Sequence, residues 1–134
     1  YINQNLASVR AISKAPLAKM AMNTIVSLDP GYYHGSAHMV LMIYHASRSP
    51  ETGGDPELAL SHYRNLKTLA GDAFLPADLF YARYYLRQKQ ERALLEDIMT
   101  RIAEPGEIAG EPRLLNKVSV LRAKIYLEAI DELF

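Results

Sequence analysis

The sequence predicts an all-α protein of about seven helices. Apolar residues recur about every 3.6 positions along most of the chain, which is the spacing of an amphipathic helix. Gly and Pro separate these periodic segments, and no stretch alternates polar and apolar residues for long enough to indicate a strand. The 134 residues fit one domain. We therefore predict a single helical domain over residues 1–134, and we expect an N-terminal part of the full protein to be missing.

The first three predicted helices are separated by short breaks. An apolar stripe over residues 2–12 indicates the first helix, and Pro16 stands in the first turn of the second, over 16–28. Asp29, Pro30 and Gly31 end it. The third helix is predicted over 33–47, because the segment 48–54 is too rich in Pro, Gly and polar residues to continue it.

The fourth helix has the clearest start. Asp55 supplies a cap and Pro56 the first position, while Gly71 ends the helix. Its Leu58, Leu66 and Leu69 are predicted to turn toward the core.

Three further helices complete the prediction. Pro76 opens the fifth, over 76–87, and the sixth covers 91–103. The sixth carries Leu94, Leu95, Ile98 and Ile102 on one side. The last covers 113–133 and has Leu114, Val118, Leu121 and Ile125 at heptad-like spacing.

Short connections predict antiparallel helix pairs, and two of the pairs share a pattern. Ala18, Met22 and Pro30 fit the second helix of a tetratricopeptide repeat, and Ala59, Tyr63 and Gly71 repeat the pattern. The period exceeds the usual ~34 residues by the length of the loop 48–54. The sequence thus predicts a degenerate tetratricopeptide-like array.

Composition and motifs exclude several classes of function. Basic and acidic residues number fifteen each, so no global positive field attracts nucleic acid. Cysteine is absent, which excludes thiol chemistry, and charged residues interrupt every stretch that could span a bilayer. The chain has no phosphate loop, no serine elbow and no nucleophile placed beside a base. We therefore predict no enzyme activity and no cofactor.

Tyrosines concentrate in the third and fifth helices. At about 100° per residue, Tyr81, Tyr84 and Tyr85 share one face, and so do Tyr33 and Tyr44. A tyrosine-walled groove binds apolar matter while its hydroxyls fix orientation, although the same rings could simply fill gaps between helices. Arg48 either caps the third helix or meets a carboxylate. The predicted ligand-binding wall consists of Tyr32, Tyr33, His38, Tyr44, Tyr81, Tyr84 and Tyr85.

Three histidines allow a metal-dependent hydrolase as a weaker alternative. His34, His38 and His45 fall within about 40° around the third helix. No carboxylate on that face completes a ligand shell. Buried, hydrogen-bonded histidines are the default interpretation, so we predict no metal site.

Several strings resemble the TatT family, the tetratricopeptide-type T component of TRAP (tripartite ATP-independent periplasmic) transporters. They are LDPGYYHGSAH at 28–38, ASRSPETGGDPELALSHY at 46–63 and FYARYYLRQKQER at 80–92, and the tail 113–134 is similar to the family's closing helix. Together they are more specific than a generic repeat.

The resemblance implies a periplasmic accessory protein of TRAP transport. It implies a homotrimer, a TRAP solute-binding protein as partner, and a small hydrophobic or amphipathic ligand. Membrane attachment would occur only through a lipid anchor outside this chain. The resemblance adds Arg48 and Gln88 to the predicted ligand-binding residues, and it implies structural roles for Gly53, Gly54 and Asp55. The alternative is a tetratricopeptide-like scaffold that binds proteins without moving a ligand.

Overall fold

A computed structural model describes residues 16–105 and 113–134. Within these residues it has seven α-helices and no strand, which confirms the all-α prediction. The helices are 16–28 (α1), Ser36–Ser47 (α2), Pro56–Ala70 (α3), Leu75–Phe80 (α4), Arg92–Ala103 (α5), Arg113–Glu128 (α6) and Ile130–Leu133 (α7). The predicted first helix, 2–12, lies outside the described residues. The tetratricopeptide-like arrangement and the single domain stay predictions.

Helix α2 begins three residues later than predicted. Tyr32–Gly35 forms a 3₁₀ turn in which Tyr33 and His34 have left-handed φ values of 44° and 59°. Gly35 follows with φ 79°, and a Cβ built there would lie 3.3 Å from side-chain atoms of Leu66 and Leu69. The chain therefore enters α2 through a left-handed bend that periodicity does not reveal.

Helices α2 and α3 pack in antiparallel fashion. Gly35, just before α2, lies against Leu66 and Leu69 near the C-terminal end of α3. At the other end, the amide of Asp55 donates a hydrogen bond to the carbonyl of His45 over 3.1 Å. Asp55 also caps α3 as predicted, because its carboxylate accepts a bond from the amide of Leu58 at 3.1 Å.

The loop between α2 and α3 depends on two glycines. Gly53 has φ 98°, in the left-handed region. A Cβ on Gly54 would lie 1.8 Å from the carbonyl oxygen of Arg48, so only glycine fits there. The loop folds back on the end of α2, and this supports the structural roles implied for both glycines.

The predicted fifth helix is α-helical only in part. Helix α4 runs without a break into a π-helical stretch, Tyr81–Leu86, that carries the tyrosine run. Two further α-helical residues, 87 and 88, follow it. A π turn closes hydrogen bonds between residues five apart, and such turns are frequent at functional sites.

The core consists of small clusters. One contains Leu79, Leu86, Leu95, Met99 and Ala123, from α4, the π stretch, α5 and α6. A second, Met42, Ala46 and Ala59, joins α2 and α3 and receives the aromatic rings of the π stretch. The predicted inward positions of Leu58 and Leu69 are wrong, because both are exposed. In α5, Leu94 is exposed while Leu95, Ile98 and Ile102 are buried.

Helix α6 turns a polar face inward. Its buried residues are Asn116, Ser119 and Ala123, and its heptad-spaced apolar residues face solvent. Asn116 accepts a bond from the amide of Leu75 at 3.0 Å and donates to the carbonyl of Ala73 at 2.9 Å. These two bonds give hydrogen-bond partners to the backbone groups of Leu75 and Ala73 at the start of α4, which explains why the face of α6 that carries Asn116 is buried.

The predicted last helix ends early. A non-helical residue, Ala129, with φ −102° and ψ 19°, separates α6 from α7. Within residues 16–105 and 113–134, no helix combines the length and the apolar character needed to cross a bilayer.

Candidate functional site

A cluster of buried histidines lies between α2 and α3. The Nδ1 atoms of His38 and His62 are 2.9 Å apart, and the ring of His45 stacks on His62 with centroids 5.9 Å apart and planes at 5°. Nδ1 of His45 is buried with no hydrogen-bond partner among the described residues. His62 was missed by the sequence analysis, although it stands three residues after the repeat residue Ala59 on the face that α3 buries.

The surroundings keep these imidazoles neutral. Burial lowers the pKa of His62 to about 4, and the neighbouring His38 and His45 add to the effect. Burial also lowers the pKa of His38. For His45, burial and the Lys19 ammonium lower the pKa, and the Asp55 carboxylate partly opposes them.

His34 does not join this cluster. Its ring stacks on Phe74 with centroids 5.3 Å apart. The three histidines, which the helical spacing would allow to point one way, therefore separate, and His38 and His45 meet His62 instead. Within the described part of the chain, no group of three or more His, Asp or Glu side chains is placed to hold a metal ion.

The tyrosines of the π stretch pack as a stack rather than as an open wall. Tyr81 stacks with Tyr63 at a centroid distance of 3.8 Å and with Tyr85 at 5.1 Å. Tyr84 stacks on Phe80 at 6.1 Å. Tyr81, Tyr84 and Tyr85 all pack against the Met42, Ala46 and Ala59 cluster, so the face that they share is largely covered by α2 and α3.

A part-buried polar network supports the stack. The hydroxyl of Tyr63 donates to Asp78 over 2.5 Å, and Asp78 also accepts from Lys67 at 3.1 Å. Burial raises the pKa of Tyr63 well above its ordinary value, and the bond to Asp78 raises it further. The phenol therefore stays protonated and fixes the ring against which Tyr81 stacks.

A cleft of about 230 Å³ opens where the end of α2 meets the end of the π stretch. Its lining contains two basic side chains and no acidic one, together with apolar surface from two prolines and a tyrosine ring. The lining residues are Ala46, Arg48, Ser49, Pro50, Pro56, Tyr85, Gln88 and Lys89. Arg48, Tyr85 and Gln88 were predicted as ligand-binding residues, whereas Lys89 was missed.

Arg48 is held at the rim of the cleft by an aromatic ring. Its guanidinium carbon lies 4.6 Å from the ring centroid of Tyr44, and Nζ of Lys19 from α1 lies 5.5 Å from the same centroid. Arg48 is also the residue that follows α2, where a cation interacts favourably with the helix dipole. On the other side, Nζ of Lys89 lies 5.9 Å from the ring centroid of Tyr85.

The remaining predicted site residues lie away from the cleft. Tyr32 and Tyr33 are exposed and precede α2, whereas Arg48 follows it. The twelve residues of α2 separate the two ends by about 18 Å. His38 is buried in the histidine cluster. The structure thus brings together Tyr44, Arg48, Tyr85 and Gln88, but not Tyr32, Tyr33 or His38.

A wider groove of about 740 Å³ lies among α3, α4, α5 and α6. Many of its polar groups already pair with one another or with adjacent residues. Lys67 bridges Asp72 and Asp78, each at 3.1 Å, and Arg101 pairs with Asp97 at 3.4 Å. Asn116 already accepts one bond from Leu75 and donates one to Ala73. The smaller cleft is therefore the better candidate for recognising a charged ligand.

The fold and the cleft define a class of protein: an all-α domain with a small cleft that is lined by an aromatic ring and two cationic side chains. More particularly, the model of the TRAP transporter T-component family matches residues 1–134, so the chain belongs to that family. This confirms the predicted TatT resemblance. A comparison with curated proteins gave no match. Membership supports an accessory role in TRAP transport, and accessory components of transporters are typically non-enzymatic.

Proposed function

We propose that this chain is a periplasmic accessory protein that binds or channels a small amphipathic anion in the cleft at Arg48 and docks the solute-binding protein of its TRAP system. The observation that carries the proposal is the lining of the cleft. Arg48 and Lys89 line it together with no acidic residue, and the Tyr85 ring, Pro50 and Pro56 provide its apolar surface. A carboxylate with a short hydrocarbon chain matches both features.

Each lining residue has a distinct part in the proposed binding. The guanidinium of Arg48 offers a bidentate donor to a carboxylate, and Lys89 adds a second positive charge. Gln88 offers its amide for orientation, and the Tyr85 ring contacts the hydrocarbon. Tyr44 positions Arg48.

The other predicted site residues have indirect parts. Tyr81 and Tyr84 support the Tyr85 ring through the aromatic stack and the core beneath it. Tyr32, Tyr33 and His38 do not line this cleft. Of these, the two exposed tyrosines are available to contact a partner or a neighbouring protomer.

Titration with hexanoate, followed by NMR of the backbone amides, tests the ligand. We expect shifts around residues 46–50 and 85–89, and weaker binding of hexanol, which lacks the charge. Arg48→Gln should weaken hexanoate binding about tenfold or more, because a hydrogen bond to a charged group contributes about 1.5–3 kcal/mol. Arg64→Gln, which changes an exposed arginine outside the cleft, is the control. Equal binding of hexanol, or no effect of Arg48→Gln, would contradict the proposal.

Trimer formation belongs to the same proposal. Exposed apolar residues on α1, namely Leu17, Met20 and Leu28, support a contact between protomers there. Sedimentation equilibrium at micromolar concentrations tests it, and a strictly monomeric chain would count against the trimer.

A protein-binding scaffold that moves no ligand is the second candidate function. The exposed apolar residues of α6 favour it, since they provide a docking surface that does not involve the cleft. Failure of hexanoate and related short-chain carboxylates to bind, together with tight binding of the solute-binding protein, would select this candidate.

A further inference from the structure

The outer face of α6 carries a narrow apolar seam. Leu114, Val118, Leu121 and Ile125 are 75%, 37%, 61% and 61% exposed. At about 100° per residue, all four fall within about 60° around the helix, opposite the buried Asn116, Ser119 and Ala123. They therefore form one straight ridge that no other described part of the chain covers.

The rotation that exposes this seam is fixed by specific bonds. Asn116 satisfies Leu75 and Ala73 at the start of α4, and turning α6 to bury the seam would break both bonds. The hydrophobic contacts that the seam could make are thus not available within the described fold. An apolar ridge held at the surface in this way marks an interaction site.

The shape of the seam indicates a helix as its occupant. Its spacing of four, three and four residues is that of the narrow seam between two packed helices. Helices that lie on membranes have a broader apolar face, in which bulky aromatic residues are common. The seam has only Leu, Val and Ile, confined to about 60°.

The charges beside the seam exclude a second copy of α6 as the favoured occupant. Arg113, Lys117, Arg122 and Lys124 are exposed, and Glu128 is the only acidic residue of α6. Lys117 and Lys124 flank one side of the seam and Arg122 the other. None of the four basic residues is ion-paired with another described residue. Pairing two copies would place like charges face to face.

We infer that the outer face of α6 docks a helix of a partner protein whose own apolar seam is flanked by Asp and Glu. The inference rests on the proposed docking of the solute-binding protein, and it states which side chains the docking helix of that protein carries. Acidic flanks would meet Lys117, Lys124 and Arg122, while the apolar seams bury each other.

Two labelled synthetic peptides test the inference by fluorescence anisotropy. Both are three-heptad helices with Leu at the a and d positions, one with Glu at e and g and the other with Lys. We expect the Glu peptide to bind the whole chain and to weaken as salt rises, and the Lys peptide to bind at least tenfold more weakly. Leu121→Glu should remove binding of the Glu peptide. The control is Leu94→Glu, at a leucine of α5 that is 44% exposed and belongs neither to the seam nor to the proposed contact between protomers.

Three outcomes would overturn the inference. Equal binding of the two peptides would remove the charge argument. Uptake by vesicles of phosphatidylglycerol and phosphatidylcholine that Leu121→Glu abolishes would assign the face to a lipid surface. Self-association that Leu121→Glu abolishes would assign it to a second copy.

The cleft and the seam can fail separately, because no residue of α6 lines the cleft. If hexanoate binds and the Glu peptide does not, only the inference about α6 falls. If the solute-binding protein binds the wild-type chain and the Leu121→Glu variant equally, docking stands but occurs elsewhere. If the Glu peptide binds and the solute-binding protein does not, the chemistry of the face stands and the named partner falls.

Discussion

The Nδ1 atoms of His38 and His62 lie 2.9 Å apart between α2 and α3. One of them must donate and the other accept, so the two neutral rings carry opposite tautomers at this position. A proton added to the accepting nitrogen would set two donors against each other. His45, stacked on His62, would add a charge nearby if it were protonated as well. The interface thus depends on uncharged imidazoles.

Stability should fall as the pH decreases from about 6.5, the ordinary pKa of histidine, toward 4. The folded-state pKa of His62 is about 4, so between these limits the unfolded chain binds more protons than the folded chain. Acid therefore favours unfolding. Thermal melting from pH 7 to pH 4 should show a steady loss, to which His38 and His45 also contribute.

The variant His62→Gln isolates one part of this loss. It should have a shallower dependence on pH, because one titrating group of the cluster is gone. His34→Gln is the control, since His34 stacks on Phe74 away from the cluster. An unchanged slope in His62→Gln would contradict the explanation.

Removing the Asn116 side chain should destabilise the fold. Asn116→Ala removes the two part-buried bonds to the amide of Leu75 and the carbonyl of Ala73, and each such bond contributes about 0.5–1.5 kcal/mol. Urea unfolding should show the loss, and Asn23→Ala at an exposed position of α1 should be nearly neutral. A loss below about 0.5 kcal/mol would mean that water replaces the amide.

Tyr63→Phe should destabilise the fold while keeping the ring of residue 63 in the aromatic stack. The ring remains, but Asp78 loses the hydroxyl that donates to it over 2.5 Å. A loss of about 1.5–3 kcal/mol is expected for a hydrogen bond to a charged group. Tyr32→Phe, at an exposed tyrosine, is the matched control. Equal stability of the two variants would show that Lys67 alone suffices for Asp78.

Gly54→Ala should disrupt the loop that presents Arg48. Its Cβ would lie 1.8 Å from the carbonyl oxygen of Arg48, so the backbone must move at a cost of about 1–3 kcal/mol or more. Gly31→Ala is the control, because there the nearest atom is 3.9 Å away and φ is −84°. We expect weaker hexanoate binding as well as lower stability in Gly54→Ala only. Wild-type behaviour of Gly54→Ala would contradict the geometry of this loop.

Local chemistry made parts of the fold predictable. Asp55, Pro56 and Gly71 determine the ends of α3 through a side-chain cap, a fixed φ and a left-handed glycine. Each effect acts within a few residues. The same holds for Gly53, Gly54 and Arg48, which were recognised as part of one loop.

Tertiary contacts determined what the sequence could not show. The heptad spacing of α6 is visible in the sequence, but two bonds from Asn116 to residues more than forty positions away decide which face is buried. His62 gains its importance only from α2, which brings His38 and His45 beside it. The left-handed residues Tyr33 and His34 likewise oppose the propensity on which the predicted start of α2 depended.

Deleting one residue from Tyr81–Leu86 would convert its π turn into an ordinary α turn. A π turn closes its hydrogen bond over one residue more than an α turn does, so the extra residue is held as a local bulge and the helix on either side keeps its alignment. The deletion should therefore leave α4 and Gln88 nearly in their present orientation, while the residues of the stretch itself shift around the axis and the contacts of Tyr81 with Tyr63 and Tyr85 are disturbed. The loss of a single codon here should affect the aromatic stack rather than the ligand-facing end of the helix.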